Sequence, residues 1–234
     1  MTMPVSFLRK CSVCGTESIQ TGLASTNRFG SPDLDLRPPE MMRSTMHWWI
    51  QECPCCGYIA SDISEPTNVD IEWLKLEHFP AGTDKGFQSD LAHKFYKYYL
   101  TNLADHKQED AFDAAQHAAW SCDDAGDRDN AIICRKAALA SYPHPLPPED
   151  NDALYVVRAD LMRRAELFDD LIDEYSRVRF SEEILNQVMA FQIEKAKEHD
   201  TGCYTVETQY RLRKNSKLIP AFCSRDVCLQ LDVF

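Results

Sequence analysis

Two pairs of cysteines have a type and spacing that point to chemistry: Cys11-Ser-Val-Cys14-Gly15 near the start, and Cys53-Pro-Cys-Cys56-Gly57-Tyr58 further on. In each pair the thiols stand three positions apart, the spacing at which a tight turn aims both sulfurs at one cation. The glycine that follows lets the backbone fold around them. Cys11, Cys14, Cys53 and Cys56 together supply the four soft donors of a closed tetrahedral site, so the expected cofactor is a structural Zn²⁺. Cys55 is the rival ligand; Cys56 is preferred because only Cys53 and Cys56 keep the turn spacing. The spacer is long: 38 residues separate Cys14 from Cys53, where compact ribbons use roughly 15–20. A loop must therefore be inserted between the knuckles.

Other candidate groups are weaker. His47 lies near the second knuckle, but six strand residues before Cys53 is roughly 20 Å, which makes it a packed or exposed strand residue. In Asp33-Leu-Asp35-Leu-Arg37, the acids are expected to cap backbone N–H groups or to pair with Arg37 or Arg43 rather than to bind a second cation. Cys55 beside a Zn²⁺ site could act as a redox sensor, although an inert neighbour is the simpler reading. No Gly-rich phosphate loop, His-Glu-x-x-His or Gly-x-Ser-x-Gly pattern occurs, and the seven histidines are scattered, so no catalytic residue is assigned.

The chain has 234 residues, 44% of them hydrophobic and 26% charged. It can bury a substantial core. Before the first knuckle stand only Val5, Phe7 and Leu8 as a short apolar group, too little for a signal peptide, and no apolar run approaches membrane-spanning length. The expected address is cytoplasmic, with no membrane partner. Ten cysteines do not describe a secreted disulfide scaffold, because five lie in the two knuckles and Cys122 and Cys134 sit on helical patterns. Net charge is −12. Residues 1–60 are balanced, with Arg9, Lys10, Arg28, Arg37 and Arg43 against Glu17, Asp33, Asp35, Glu40 and Glu52. The acidic surplus lies beyond the cysteine region, which disfavours bulk contact with a phosphate backbone.

The elements that must position the cysteines follow from pattern. Residues 16–40, with Gly22, Gly30, Pro32, Pro38 and Pro39, read as loop with one short strand. Met46-His-Trp-Trp-Ile-Gln51 reads as a strand that carries Cys53 to the metal. Beyond Val69 the pattern turns helical: Ile71, Leu74 and His78 mark a first face. After a break at 81–86, Ser89 caps a helix with Leu91, Phe95, Tyr98, Tyr99 and Asn102 on one side. Residues 108–125 carry Ala111, Ala115, Ala118, Ala119 and Cys122 on one face, and Ala131–Ala140 forms a partner helix after a turn at Gly126. A second hairpin is expected from 152–166, with Leu154, Val157, Leu161 and Ala165 inward, and 168–179. Ser181 is expected to cap a last helix bearing Ile184, Val188, Phe191 and Lys195, ended by Asp200-Thr-Gly202. The tail has a basic stretch at 211–214 and two cysteines, Cys223 and Cys228, read as free thiols.

Gly126-Asp-Arg-Asp-Asn-Ala131-Ile, with Ala138-Leu139 and Pro143, resembles the second half of a tetratricopeptide repeat, except that Arg135 stands where the repeat has a bulky aromatic. More broadly, Cys-x-x-Cys-Gly, a loop with Asp-x-Asp, and Cys-Pro-x-Cys-Gly-Tyr before alanine-rich hairpins resemble the bacterial family catalogued as domain of unknown function 2225, over about residues 8–203. The resemblance implies a zinc-ribbon head on a tetratricopeptide-like body and no assigned activity. The expected fold class is α+β, mainly α. Its expected parts are a zinc-ribbon-like domain at 1–66, a helical domain at 67–203 and a tail at 204–234. The expected function is that of a zinc-containing adaptor for a protein or peptide partner. A nucleic-acid-binding ribbon is the alternative, and a thiol-based sensor or enzyme using Cys55 comes after it.

Overall fold

The first knuckle is the turn of a β-hairpin. Strand β1 (Met3–Lys10) pairs antiparallel with β2 (Glu17–Ser25), Lys10 standing opposite Glu17 and Leu8 opposite Ile19. Composition predicts loop with one short strand over 16–40, yet β2 runs nine residues, because its partner lies on the other side of the knuckle and the two zip outward from it. The second knuckle is a turn of the same kind, between β3 (Gln51–Glu52) and β4 (Ile59–Ala60). This computed structural model describes residues 2–75, 86–142 and 152–207. The described residues are mainly helical, 51% of them in helix, with the small antiparallel sheets at the N-terminal end.

The strand expected over Met46–Gln51 is instead a 3₁₀ helix, Arg43–Trp48, with only Gln51 and Glu52 extended. Met46 and Ile50 are both buried in the helical core. A spacing of four suits a turn, whereas a strand would send every second residue to one side. Thr45 fixes the turn: its hydroxyl donates to the Met42 carbonyl at 2.7 Å and accepts from the Trp49 indole at 3.0 Å.

Among the described residues seven α-helices follow: α1 (Ile71–Lys75), α2 (Asp90–Ala104), α3 (Gln108–Asp124), α4 (Arg128–Ser141), α5 (Asp152–Arg164), α6 (Phe168–Tyr175) and α7 (Glu183–Lys197). Ser89 caps α2 as expected, accepting from the Ala92 N–H at 3.2 Å. The buried side of α2 includes Ala92, Phe95, Tyr96, Tyr99 and Asn102; Tyr98 turns toward the cysteine region, 3.1 Å from the Ser61 hydroxyl. Ser181 does not cap α7, whose N-cap is Glu182 with no side-chain bond. His78 lies outside the described residues.

Four helices end with one hydrogen-bond pattern. Lys107 donates to Asn102 O, Asp127 to Cys122 O, Leu167 to Met162 O and Asp200 to Lys195 O, each at 2.9 Å. Each is the long bond of a C-terminal cap closed by a left-handed residue: His106, Gly126, Glu166 and His199. Three of these turns lead directly into the next helix, so α2–α3, α3–α4 and α5–α6 are hairpins joined in one way.

Small residues set the packing. Ala111, Ala114, Ala115, Ala118 and Ala119 of α3 and Ala131 and Ala138 of α4 are buried together, which lets the backbones approach closely. Arg135, where the repeat pattern has an aromatic, is buried and paired with Asp123. A second cluster gathers α5, α6 and α7 around Leu171, Tyr175 and Phe191, and Leu34 of the inserted loop enters it.

That loop is bound into the helical body. Leu36 adopts φ +63°. Asp35 is fully buried and accepts from the Trp120 indole at 2.8 Å and Arg164 at 2.9 Å, while Gln116 donates to its carbonyl. Arg37 reaches Asp124, and Asp33 pairs with Arg43 at 2.6 Å. Thr205 forms a β-bridge with Asp33, and Leu34 N–H donates to Tyr204 O at 2.9 Å. Tyr204 and Thr205 thus lie against the inserted loop. Residues 208–234, with Cys223 and Cys228, lie outside the described ones. Among the described residues, no helix is long and apolar enough to cross a membrane.

Candidate metal centre

The two knuckles have the same backbone. In the first, Gly15 N–H donates to Cys11 O and Cys11 N–H to Thr16 O; in the second, Gly57 N–H donates to Cys53 O and Cys53 N–H to Tyr58 O, all at 2.9 Å. Each turn closes through a glycine in the left-handed region, φ +74° at Gly15 and +72° at Gly57, where a Cβ would be strained. The glycine after each Cys-x-x-Cys is therefore part of the ligand geometry.

The hairpin ends face each other and bring Cys11, Cys14, Cys53 and Cys56 together, with all four sulfurs within 4.8 Å of one another. Cys11 Sγ is 3.7 Å from Cys56 Sγ, and Cys14 Sγ is 3.5 Å from Cys53 Sγ. Four thiolates about 2.3 Å from a tetrahedral zinc would stand about 3.8 Å apart, so the donor set fits the ion in number, type and spacing. The four are free thiols. Cys55 is exposed and outside the group, and His47 is exposed, its ring tilted at 50° to that of Trp48 with centroids 4.3 Å apart. Asp33 and Asp35 take no part, both being engaged with arginines.

Cys11 and Cys53 are buried, while Cys14 and Cys56 are partly exposed. The Thr16 hydroxyl, 3.3 Å away, and the Thr16 backbone pull the Cys14 thiol down to about 6. Burial pushes Cys11 and Cys56 up. A metal cation would reverse that tendency, because ligation requires the thiolate.

Behind the sulfurs is a small apolar base: Tyr58, Ala60, Ile63 and Val69 are buried with Cys11 and Cys53, and Trp73, Leu74, Tyr98 and Ala104 pack against them. Burial raises the Tyr58 phenol, against the opposing pull of the Thr67 and Ser12 side chains. Thr67 in turn donates to Asp105, at the end of α2, at 2.8 Å. Further ties join the hairpins: Ser12 N–H to Ile63 O at 2.8 Å, Gln20 to Glu52 O at 3.1 Å, and Arg9 to Asp62 at 2.8 Å. Of these supports the sequence signals only Tyr58, through its place after Gly57. The others come from separate segments with no motif of their own.

A metal ion held by all four thiolates would have no position left for substrate or water. Compared with known proteins, the chain is matched by no protein-family model, no curated protein and no solved structure.

Proposed function

We propose that this chain is a zinc-stapled interaction protein, in which Cys11, Cys14, Cys53 and Cys56 hold one structural Zn²⁺ and the helical hairpins engage a protein or peptide partner. The convergence of the four sulfurs carries the metal half of this reading. The three alike helix-to-helix turns support the other half, since stacked hairpins of this kind build extended binding surfaces. Tetratricopeptide-like architecture and membership of the domain of unknown function 2225 family belong to the same proposal. A nucleic-acid partner has less behind it: Arg9, Arg37 and Arg43 are each engaged by a carboxylate of the chain.

Metal analysis of the purified protein and of single Cys→Ser variants tests the clasp. One zinc per chain is expected, retained in Cys55→Ser and lost or greatly weakened in Cys11→Ser, Cys14→Ser, Cys53→Ser and Cys56→Ser. Zinc kept by Cys56→Ser and lost by Cys55→Ser would overturn the ligand set.

A further inference from the structure

An open cleft of about 650 Å³ lies where α4, α5 and α6 meet, lined by Leu139, Ala140, Arg158, Met162, Leu167, Asp170, Asp173 and Glu174. Leu139, Met162 and Leu167 give it an apolar floor that continues into the second core cluster. Its rim is acidic. Glu174 is occupied by Arg158, through two hydrogen bonds of 3.2 Å. Asp170 and Asp173 are exposed and stand three residues apart on α6, hence on one helical face. Among the described residues, the one cation of the lining is thus already paired, while two carboxylates look onto an apolar surface in a chain of net charge −12.

A small-molecule site usually encloses its ligand and offers several convergent polar groups. This cleft is open, and its uncommitted charges have one sign. What complements it is a leucine-sized side chain on the floor with a lysine or arginine beside it. We infer that the cleft docks a segment of a partner protein in which basic residues alternate with leucines. The inference rests on the interaction reading above and places the partner on one surface of the helical body.

The test uses the zinc-loaded full chain and a short fluorescein-labelled peptide of repeating Lys-Leu-Arg-Leu, read by anisotropy. Saturable binding is expected, weakened by salt because both sets of charges are at the surface, and absent for the same peptide with Glu in place of Lys and Arg. Asp170→Lys combined with Asp173→Lys should weaken binding at least about tenfold, and the double Asn variant by less, with unchanged circular dichroism showing that α6 persists. No binding, or binding unaltered by the charge reversal, overturns the cleft. So does a carbodiimide cross-link, within one chain, from Asp170 or Asp173 to Lys214 or Lys217, which would make the chain's own basic stretch the occupant. Proteins retained equally by wild type and the reversal variant would overturn the cleft and leave the interaction reading standing. A peptide that binds while neither form retains any protein would overturn that reading, and the partner named here with it.

Discussion

Asp35 is where the inserted loop and the helical body depend on each other most. Its carboxylate is fully buried between the Trp120 indole and the Arg164 guanidinium, and Arg164 also holds Asp123. Burial raises Asp35 and the arginine opposes it. Asp35→Ala would leave a buried arginine short of its partner, at a cost of about 3–5 kcal/mol, and Asp35→Asn should cost less by keeping a hydrogen-bond acceptor. Urea denaturation is the measurement; an alanine variant as stable as wild type would show that the loop is not anchored there. His117 gives a pH signature. Its ring lies 4.9 to 5.1 Å from those of Trp49, Phe95 and Trp120, and burial, with repulsion from Arg37, pulls it down to about 3. The unfolded chain protonates this imidazole near pH 6.5. Stability from its neutral form is therefore complete above that pH and is lost as pH falls toward 3, at up to about 1.4 kcal/mol per unit. In thermal melts between pH 7 and 5, His117→Phe should lose less stability than wild type, and parallel curves would rule the effect out. The sequence shows the Asp33–Arg43 pair, ten residues apart. It hides the Asp35–Arg164 pair, 129 residues apart, because neither residue carries a local mark of the other.

Among the elements, each cysteine motif is the turn of a hairpin, and this accounts for what the sequence reveals. Turn chemistry is local, so Gly15 and Gly57 mark the knuckles, Ser89 marks the start of α2 and Gly126 marks one helical turn. The other left-handed caps use His106, Glu166 and His199, residues that carry no turn signal, and those hairpins are visible only through their apolar spacing. Strand β1 is hidden for a different reason: Met3, Val5 and Leu8 are exposed, so no buried face writes an alternating pattern. The β1–β2 ribbon meets the rest through the knuckles and a few ties, whereas α3 and α4 share an alanine-lined core. Chelation followed by hydrogen exchange should therefore speed exchange in β1 and β2 while α3 and α4 keep most of their protection. Equal loss in both would mean that the metal holds the entire chain.

Across the whole molecule, three buried clusters run from the cysteines through α2–α4 to α5–α7. The loop between the knuckles, together with the second knuckle that ends it, reaches them all, with Cys53 in the first, Met46 and Ile50 in the second and Leu34 in the third. The mainly helical α+β class is legible from composition and period, but the route of this loop is not: it follows from ion pairs and contacts between distant segments. The metal-closed loop also has a thermodynamic meaning. A clasp between Cys14 and Cys53 restricts the unfolded chain as a disulfide would, and a bridge closing 38 residues is worth about 4 kcal/mol by loop entropy. Unlike a disulfide, the zinc bridge proposed above would be set by free zinc activity rather than by redox potential. Under that proposal the pairing of ribbon to body would be a graded function of how much zinc the surroundings hold.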